Sequence, residues 1–165
     1  MDASPATFAA ASLDLPARIV TATIWILALG FAAGGAWGLA ADTAPVGAVL
    51  LVVGASLVVL QLFLRRLEPR VYAIDDGQLS IARRSASPVQ FAGGFARVHR
   101  GALGWRIAGD GGGYGYLGRY RAEGRTVSAF VTDRAKVVLL EVGDDAIALS
   151  PADPEDFVER VGSGA

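Results

Sequence analysis

The chain has 165 residues, a formal net charge of −1, a single histidine and no cysteine. The missing thiols exclude disulfides and thiolate metal sites, and one histidine makes an imidazole-based metal or cofactor site improbable. Hydrophobic residues make up 53% of the chain and the mean hydropathy is +0.43, which is high for a soluble protein. The small net charge and the lack of a recognisable reader module argue against nucleic-acid binding.

The first 64 residues contain a short lead and two long apolar stretches. Residues 1–18, rich in Ala, Ser, Thr and Pro, predict a disordered cytoplasmic lead, with a short interfacial helix from Phe8 to Leu15 as an alternative. The stretches Ile19 to Ala41 and Val46 to Leu64 contain no Asp, Glu, Lys or Arg. A helix needs about 20 residues to cross a hydrocarbon layer of about 30 Å. Residues 19–64 therefore predict a transmembrane helical hairpin.

Positive residues flank the two stretches and predict their orientation. Arg18 precedes the first stretch, Arg65, Arg66 and Arg70 follow the second, and Asp42 is the one charge in the loop between them. Because Lys and Arg next to a span are retained on the cytoplasmic side, both termini are expected in the cytoplasm and the protein in the cell (inner) membrane. A less favoured alternative makes Ile19 to Ala33 the apolar core of a signal peptide, cleaved near Gly38-Leu39-Ala40.

Three glycines in the first stretch, Gly30, Gly34 and Gly38, recur every four residues and so share one helix face. Such a face lets another helix approach closely. The favoured partner is the second stretch of the same chain, and dimerisation between chains is the alternative. Residues of the second stretch that suit the contact within the chain are Gly47, Ala48, Gly54 and Ala55. Since neither stretch holds an ionisable group, a transport pathway through them is not expected.

Residues 67–162 predict a mostly β domain that ends in one helix. Asp75-Asp76-Gly77 is typical of a hairpin turn between strands at 70–74 and 78–82. Near the end of the chain, Asp153 and Pro154 predict the start of a helix with Phe157 on its buried face. Further strands are predicted around Val89 and at 96–99, 104–108, 117–122, 126–132, 137–142 and 146–149.

Several short segments of this domain resemble the bacterial pleckstrin-homology-like (PH-like) domains of small membrane proteins. They are Gly115-Tyr116-Leu117-Gly118-Arg119-Tyr120, Val131-Thr132-Asp133, the apolar strand Val137 to Leu140, and Leu149-Ser150-Pro151-Ala152-Asp153-Pro154-Glu155 leading to Phe157. The resemblance implies a membrane-anchored α+β protein, in which a small β-barrel or sandwich of about seven strands is plugged by a C-terminal helix. It also implies a binding function without chemistry of its own or a cofactor.

Three features of the domain are weighed as enzymatic sites and disfavoured. Gly113 to Gly118 spells GxGxxG, but strand-like residues follow it where a dinucleotide site needs a helix. His99 has no second histidine and no plausible catalytic triad around it. Asp144-Asp145 follows Gly143 in a turn, where carboxylates usually serve turn formation and solvation. No catalytic constellation is predicted.

The domain's charges are unevenly distributed along the sequence. Between Arg65 and Lys136 there are thirteen basic and six acidic residues, whereas the segment from Val137 onward has one basic and seven acidic residues. Arg65, Arg66 and Arg70 are expected near the inner leaflet, where each basic residue gains on the order of 1 kcal/mol from anionic lipid. The sequence therefore predicts a membrane-anchored module for protein interaction or self-association. The alternatives are recognition of anionic lipid headgroups and a role as accessory subunit of a membrane enzyme or transporter.

Overall fold

The computed structural model describes residues 6–41 and 43–162, which form three α-helices and ten β-strands. The helices are α1 (Leu15–Ala40), α2 (Ala44–Leu67) and α3 (Pro154–Gly162). The strands are β1 (Ala6–Ala9), β2 (Pro69–Asp75), β3 (Gln78–Arg83), β4 (Val89–Ala92), β5 (Phe95–Arg100), β6 (Arg106–Gly111), β7 (Tyr116–Ala122), β8 (Arg125–Val131), β9 (Val138–Val142) and β10 (Asp145–Leu149). A short 3-10 turn, Arg134–Lys136, precedes β9.

Helices α1 and α2 form an antiparallel hairpin, and both are long and apolar enough to cross a membrane. α1 begins four residues before the predicted span, because the Asp14 side chain accepts a hydrogen bond from the Ala17 amide and Pro16 occupies the first turn. Only 11% and 17% of the most apolar windows of the two helices are buried. A core helix of a soluble domain would be mostly buried, so these exposed apolar faces indicate membrane association.

The two helices touch through glycines that allow their backbones to approach closely. A Cβ atom on Gly47 would lie 2.5 Å from the Leu39 amide nitrogen, and one on Gly54 would lie 2.8 Å from the Ala32 amide nitrogen. Contacts this short leave no room for a side chain. Of the four residues of the second stretch offered as contacts, Gly47 and Gly54 lie against α1, whereas Ala48 and Ala55 are exposed.

Of the three glycines predicted to share a packing face on α1, Gly38 lies in the close contact with α2 and Gly30 and Gly34 do not. A Cβ atom on Gly38 would lie 2.9 Å from the Gly47 Cα, and one on Gly35 would lie 2.7 Å from the Leu51 nitrogen. Gly30, in contrast, has nothing within 4 Å of its Cβ position, and Gly34 meets only a Leu50 methyl at 3.8 Å. Within the hairpin, Gly35 and Gly38 thus make the close contact, and Gly30 and Gly34 remain exposed.

Residues before α1 belong to the β domain. Strand β1 pairs antiparallel with β2, with Phe8 opposite Tyr72, and the Phe8 ring packs edge-on against Phe157 of α3 at a centroid distance of 4.7 Å. The expected disordered lead is therefore wrong for residues 6–14, and so is the alternative interfacial helix from Phe8 to Leu15; residues 1–5 lie outside the described part of the chain. Strand β1 was missed for two reasons. Alanine is depleted in strands, so the local composition does not predict one. The strand it pairs with lies about 65 residues further along the chain.

The β domain is a sandwich of two sheets with α3 against it. One sheet has the order β1-β2-β3-β4 and the other the order β5-β9-β10-β8-β7-β6, in which β8 and β10 are parallel. The core between the sheets contains Tyr72, Leu79, Ile81, Ile147 and Phe157, all fully buried. The predicted α+β architecture is confirmed: the chain has two long apolar helices, which are candidate membrane spans, and a β-sandwich with a C-terminal helix. The described residues form ten strands in place of the predicted seven or so.

A second hydrophobic cluster lies on the opposite face of the six-stranded sheet. It includes Tyr116, Tyr120 and Val127 from the sheet, Leu103 from the preceding loop and Ala17 from the first turn of α1. This cluster joins the sheet to the beginning of the helical hairpin. The surface next to it is the part of the domain nearest to α1 and α2.

Candidate functional site

The three arginines predicted to contact the inner leaflet lie at the end of α2 and the start of β2. Arg65 and Arg66 occupy the exposed last turn of α2. The Glu68 carboxylate lies 3.8 Å from Nη2 of Arg70 and 3.3 Å from Nη1 of Arg84. Glu68 therefore offsets part of the positive charge at this position, and lipid contact by Arg65, Arg66 and Arg70 stays a prediction.

A single carboxylate ties the start of α1 to the β domain. Asp14 accepts hydrogen bonds from the Ala17 amide at 2.9 Å, from the Tyr116 hydroxyl at 3.1 Å and from the Arg134 amide at 3.2 Å. Burial, together with the negative charge of Asp14, raises the pKa of Tyr116 to about 12. The Tyr116 phenol therefore keeps its proton throughout the neutral range and donates a hydrogen bond to Asp14.

The loop between β6 and β7 lies directly against the helical hairpin. The Tyr114 amide donates to Oγ1 of Thr21 at 3.2 Å, and Nε1 of Trp25 donates to the Tyr114 hydroxyl at 2.9 Å. A Cβ atom on Gly113 would lie 3.1 Å from a methyl group of Leu64 in α2. The loop thus contacts both helices, and its polar contacts attach the domain to α1 in one orientation.

The GxGxxG segment from Gly113 to Gly118 has a structural role in this arrangement. Gly115 has a φ of +129°, and a Cβ atom there would lie 2.6 Å from the Val131 carbonyl oxygen. Gly118 has a φ of +128°, and a Cβ atom there would lie even closer to the Ala108 carbonyl oxygen. Strand β7 follows the loop, so this segment has none of the strand–loop–helix geometry of a dinucleotide site.

A cleft of about 460 Å³ opens beside this junction, between the β6 edge strand and the 3-10 turn. The Arg134 guanidinium lies 5.3 Å from the centre of the Tyr116 ring and donates to the Gly104 carbonyl at 3.1 Å. The Arg106 guanidinium donates to the Gly109 carbonyl at 3.2 Å. The residues that line the cleft are Gly104, Trp105, Arg106, Gly111, Tyr116, Tyr120 and Arg134.

Asp110 is an acidic residue close enough to this cleft for its carboxyl group to interact electrostatically with Arg106. In residues 6–41 and 43–162, no Asp or Glu oxygen lies within 4.0 Å of a side-chain nitrogen of Arg106 or Arg134. The adjacent Asp110 accepts a hydrogen bond from the Gly113 amide at 3.2 Å, and burial raises the pKa of its carboxyl group. Burial also raises the pKa of Tyr120. The cleft therefore offers two cationic groups and neutral aromatic walls, an arrangement suited to an anion.

The other residues weighed as enzymatic groups lie away from this cleft. Nε2 of His99 lies 3.1 Å from the Glu123 carboxylate, an exposed pair. Asp144 and Asp145 form the turn between β9 and β10 after Gly143, whose φ is +56°. Among the described residues, no group of three or more His, Cys, Asp or Glu side chains could hold a metal ion.

Most residues of this junction were missed by the sequence analysis, although some carried a signal. Asp14 before Leu15-Pro16 is typical of a helix N-terminus and could have placed the start of α1 correctly. Thr21 and Trp25 stand out as polar or aromatic groups in the first apolar stretch. Arg106 and Arg134 are 28 residues apart and meet only through the sheet, so no local pattern connects them.

A family model described as "Bacterial PH domain" matches residues 70–164. No curated protein and no solved structure matches the chain. The matched segment begins in β2, so it leaves out β1, α1 and α2, which the structure shows in contact with it.

Proposed function

The chain belongs to the bacterial PH domain family, and we propose that it is a non-enzymatic, membrane-anchored binding module for protein interaction or self-association. In this proposal α1 and α2 span the cell membrane, and the β domain is presented at its cytoplasmic face. PH domains are generally interaction modules, and the histidine and paired aspartates of this domain stand in settings that explain them without catalysis.

The observation that carries the proposal is the fixed attachment of the domain to the hairpin. The chain leaves the domain after β1, passes through α1 and α2, and re-enters the domain at β2. In addition to these two chain connections, side-chain hydrogen bonds of Asp14, Thr21 and Trp25 with Tyr116 and Tyr114 hold α1 against the domain. A domain held in this way presents the same faces to every protein in the membrane plane, which suits a scaffold better than a freely tethered enzyme.

The cytoplasmic orientation is supported by Arg18, Arg65 and Arg66, which flank the ends of α1 and α2 nearest to the domain. The signal-peptide alternative would separate β1 from the domain. Cleavage near Gly38-Leu39-Ala40 would remove Phe8, which is 7% exposed and packs against Phe157. An intact N-terminal segment is therefore part of the proposal.

Site-specific photocrosslinking in native membranes tests the proposed interaction. A photoreactive amino acid is placed at Arg97 on β5 or at Glu159 on α3, both exposed, with exposed Leu29 of α1 as the control position in the hairpin. We expect discrete protein adducts from the domain positions. Light scattering in detergent then distinguishes self-association from a different partner.

A strictly monomeric protein without adducts from either domain position would contradict the proposal. Recovery of one partner in a fixed ratio would instead identify an accessory-subunit role. Adducts from Leu29 alone would place the interaction in the membrane and would also contradict a binding role of the domain.

A further inference from the structure

We propose that β6 is a docking edge for an extended, acidic segment of another protein, which adds a strand to the six-stranded sheet beside Trp105 and Ile107. This inference rests on the proposed binding function and specifies the chemistry of its partner. Three features of β6 support it: the open edge, the exposed apolar side chains and the arginines on either side of the strand.

The edge of β6 is open and carries apolar surface. β6 is the last strand of its sheet, so its outward N–H and C=O groups are available to another strand. Trp105 is 66% exposed and Ile107 is 44% exposed. The other exposed large hydrophobic side chains of the described residues lie in α1 or α2, where a membrane accounts for them. An apolar patch on an open edge indicates a binding surface for an added strand.

The other sheet edges of the domain are arranged differently. β5, at the opposite edge of the same sheet, lies against α3, and Arg100 pairs there with Glu155. The outer strands of the smaller sheet, β1 and β4, have only alanines, Thr7 and Gln90 as exposed residues. Within the described part of the chain, β6 is therefore the edge best suited to strand addition.

Strand β6 begins on the side of the domain that is remote from the hairpin. The Tyr114 amide donates to Thr21 of α1, whereas the Tyr116 hydroxyl donates to Asp14, seven residues earlier in the chain. β7 therefore leaves its loop along α1 toward the N-terminus of that helix. Antiparallel β6 runs in the reverse direction, toward the hairpin. Trp105, which precedes β6, thus lies at the end of the strand away from the membrane.

This direction excludes a second copy of the chain as the added strand. Two identical edges related by a two-fold axis pair antiparallel, so the second β6 would run away from the membrane. The hairpin of that copy would then lie on the opposite side of the paired strands, outside the shared membrane. The partner is therefore a different protein.

Arginines without a carboxylate partner lie on both sides of β6. Arg106 and Arg134 line the cleft on one face of the sheet. Exposed Arg119 on β7 precedes Tyr120 of the cleft, so it points to the other face. In residues 6–41 and 43–162, no Asp or Glu oxygen lies within 4.0 Å of a side-chain nitrogen of these three arginines. Asp110, whose carboxyl group interacts with Arg106, lies at the end of β6 nearest the hairpin.

A strand that combines acidic and apolar residues matches both features of this edge. Side chains of an added strand alternate between the two faces of the sheet, where they neighbour the side chains of β6. Carboxylates on that strand complement the arginines, and an apolar side chain covers Trp105 or Ile107. Opposite charges across an interface select the partner, and burial of the apolar side chains contributes affinity.

The test measures the binding of synthetic peptides to the full-length protein in detergent by fluorescence anisotropy. The probe is a labelled peptide of alternating Val and Glu with the length of β6, and the charge control alternates Val and Lys. We expect the Glu peptide to bind about tenfold more tightly, because several attractive charge pairs replace repulsive ones. A third peptide, the Glu peptide methylated on its backbone amides, keeps every side chain but cannot donate to a strand, and it should not bind.

Variants locate the contact at β6. Trp105→Ser should weaken binding of the Glu peptide by about tenfold, the effect of a large apolar side chain that no longer becomes buried. Arg119→Glu should weaken binding of the Glu peptide and strengthen that of the Lys peptide. Arg97→Glu makes the same charge change on β5, at the opposite edge of the sheet, and is the control. Thermal melting verifies that each variant is folded.

Three results would overturn the proposal. They are equal affinity for the Glu and Lys peptides, undiminished binding of the methylated peptide, and unchanged binding of the Glu peptide by Trp105→Ser and Arg119→Glu.

Photocrosslinking in native membranes separates this inference from the proposed function. A photoreactive amino acid at Ile107 should give an adduct that maps to an acidic segment of another protein. Adducts of Ile107 with lipid or with a second copy would overturn docking at β6, and so would protein adducts from Arg97 or Glu159 without any from Ile107. Those last adducts would leave the binding function in place, whereas the absence of protein adducts at all three positions would contradict both.

Discussion

At the scale of single residues, Phe8 shows that the segment before α1 stabilises the domain. Its ring is 7% exposed and lies edge-on against Phe157. Phe8→Ala removes this buried ring and is expected to destabilise the protein by about 3–5 kcal/mol. Unfolding in detergent, followed by circular dichroism, measures the loss. Leu15→Ala, at a side chain that is 67% exposed, is the control, and an equal effect of both substitutions would contradict the role of Phe8.

Asp110 should make stability depend on pH in the direction opposite to an ion-paired aspartate. Burial raises the pKa of its carboxyl group, and Oδ2 is buried without a hydrogen-bond partner. The folded protein therefore binds this proton more tightly than the unfolded chain, and stability falls as the pH rises from the ordinary aspartate pKa of about 3.9 through the higher folded value.

Asp110→Asn tests this dependence, because the amide oxygen retains the bond from Gly113 and the charge is removed. The variant should melt at least as high as the wild type at pH 7 and should lack this fall in stability. Thermal midpoints across the acidic range provide the measurement. Asp145→Asn, in an exposed turn, controls for loss of a carboxylate; a lower midpoint of Asp110→Asn at pH 7 would show that the buried charge has a stabilising partner.

At the scale of elements, the contact between α1 and α2 depends on where each glycine faces. Gly47→Val would place atoms against the backbone of α1, 2.5 Å from the Leu39 nitrogen, and overpacking of this kind typically costs about 1–3 kcal/mol. Gly30→Val enters open space and should be neutral within the hairpin. Thermal melting in detergent compares the two. If Gly30→Val proved the more damaging, an external partner on that face would explain it.

The elements that the sequence analysis placed well are those with local signals. The apolar stretches, the turn at Asp75-Asp76-Gly77 and the Asp153-Pro154 helix start each carry their information within a few residues. Two features were not found because they depend on distant parts of the chain. The first is strand β1, which forms because the edge of β2 is available to pair with it. The second is the side of α1 that faces α2. That side depends on how the two helices cross, and a four-residue glycine repeat does not specify the crossing.

The difference between local and distant signals also explains which site residues the sequence analysis found. The arginine cluster at Arg65 and Arg66 is contiguous and visible in the sequence. The cleft instead combines Arg106 from an edge strand with Arg134 from a 3-10 turn, and Asp14 links that turn to α1. Its composition follows from sheet order, in which β6 and β7 lie beside β8, and sheet order is a property of the folded chain.

At the scale of the whole molecule, the helical hairpin is an insertion within the β domain. Strand β1 and the bonds of Ala11 and Asp14 precede it, and β2 to α3 follow it. The domain therefore consists of residues 6–14 together with residues 68–162. A family match that starts at residue 70 describes most of this unit but omits the strand that covers the β2 edge.

This division predicts which soluble fragment folds. Neighbouring antiparallel helices lie about 8–10 Å apart, so a six-residue Gly/Ser linker, which spans up to about 20 Å, can join residue 14 to residue 68. The linked protein should be monodisperse and melt cooperatively, whereas residues 68–162 alone should aggregate or melt at a much lower temperature. Without β1, the edge of β2 and the ring of Phe157 are exposed, and open edges promote aggregation.

Because both fragments lose the contacts of Thr21 and Trp25 equally, a difference between them reports on residues 6–14. Equal midpoints in circular dichroism would show that the domain is complete without β1, and the description of the hairpin as an insertion would then be wrong.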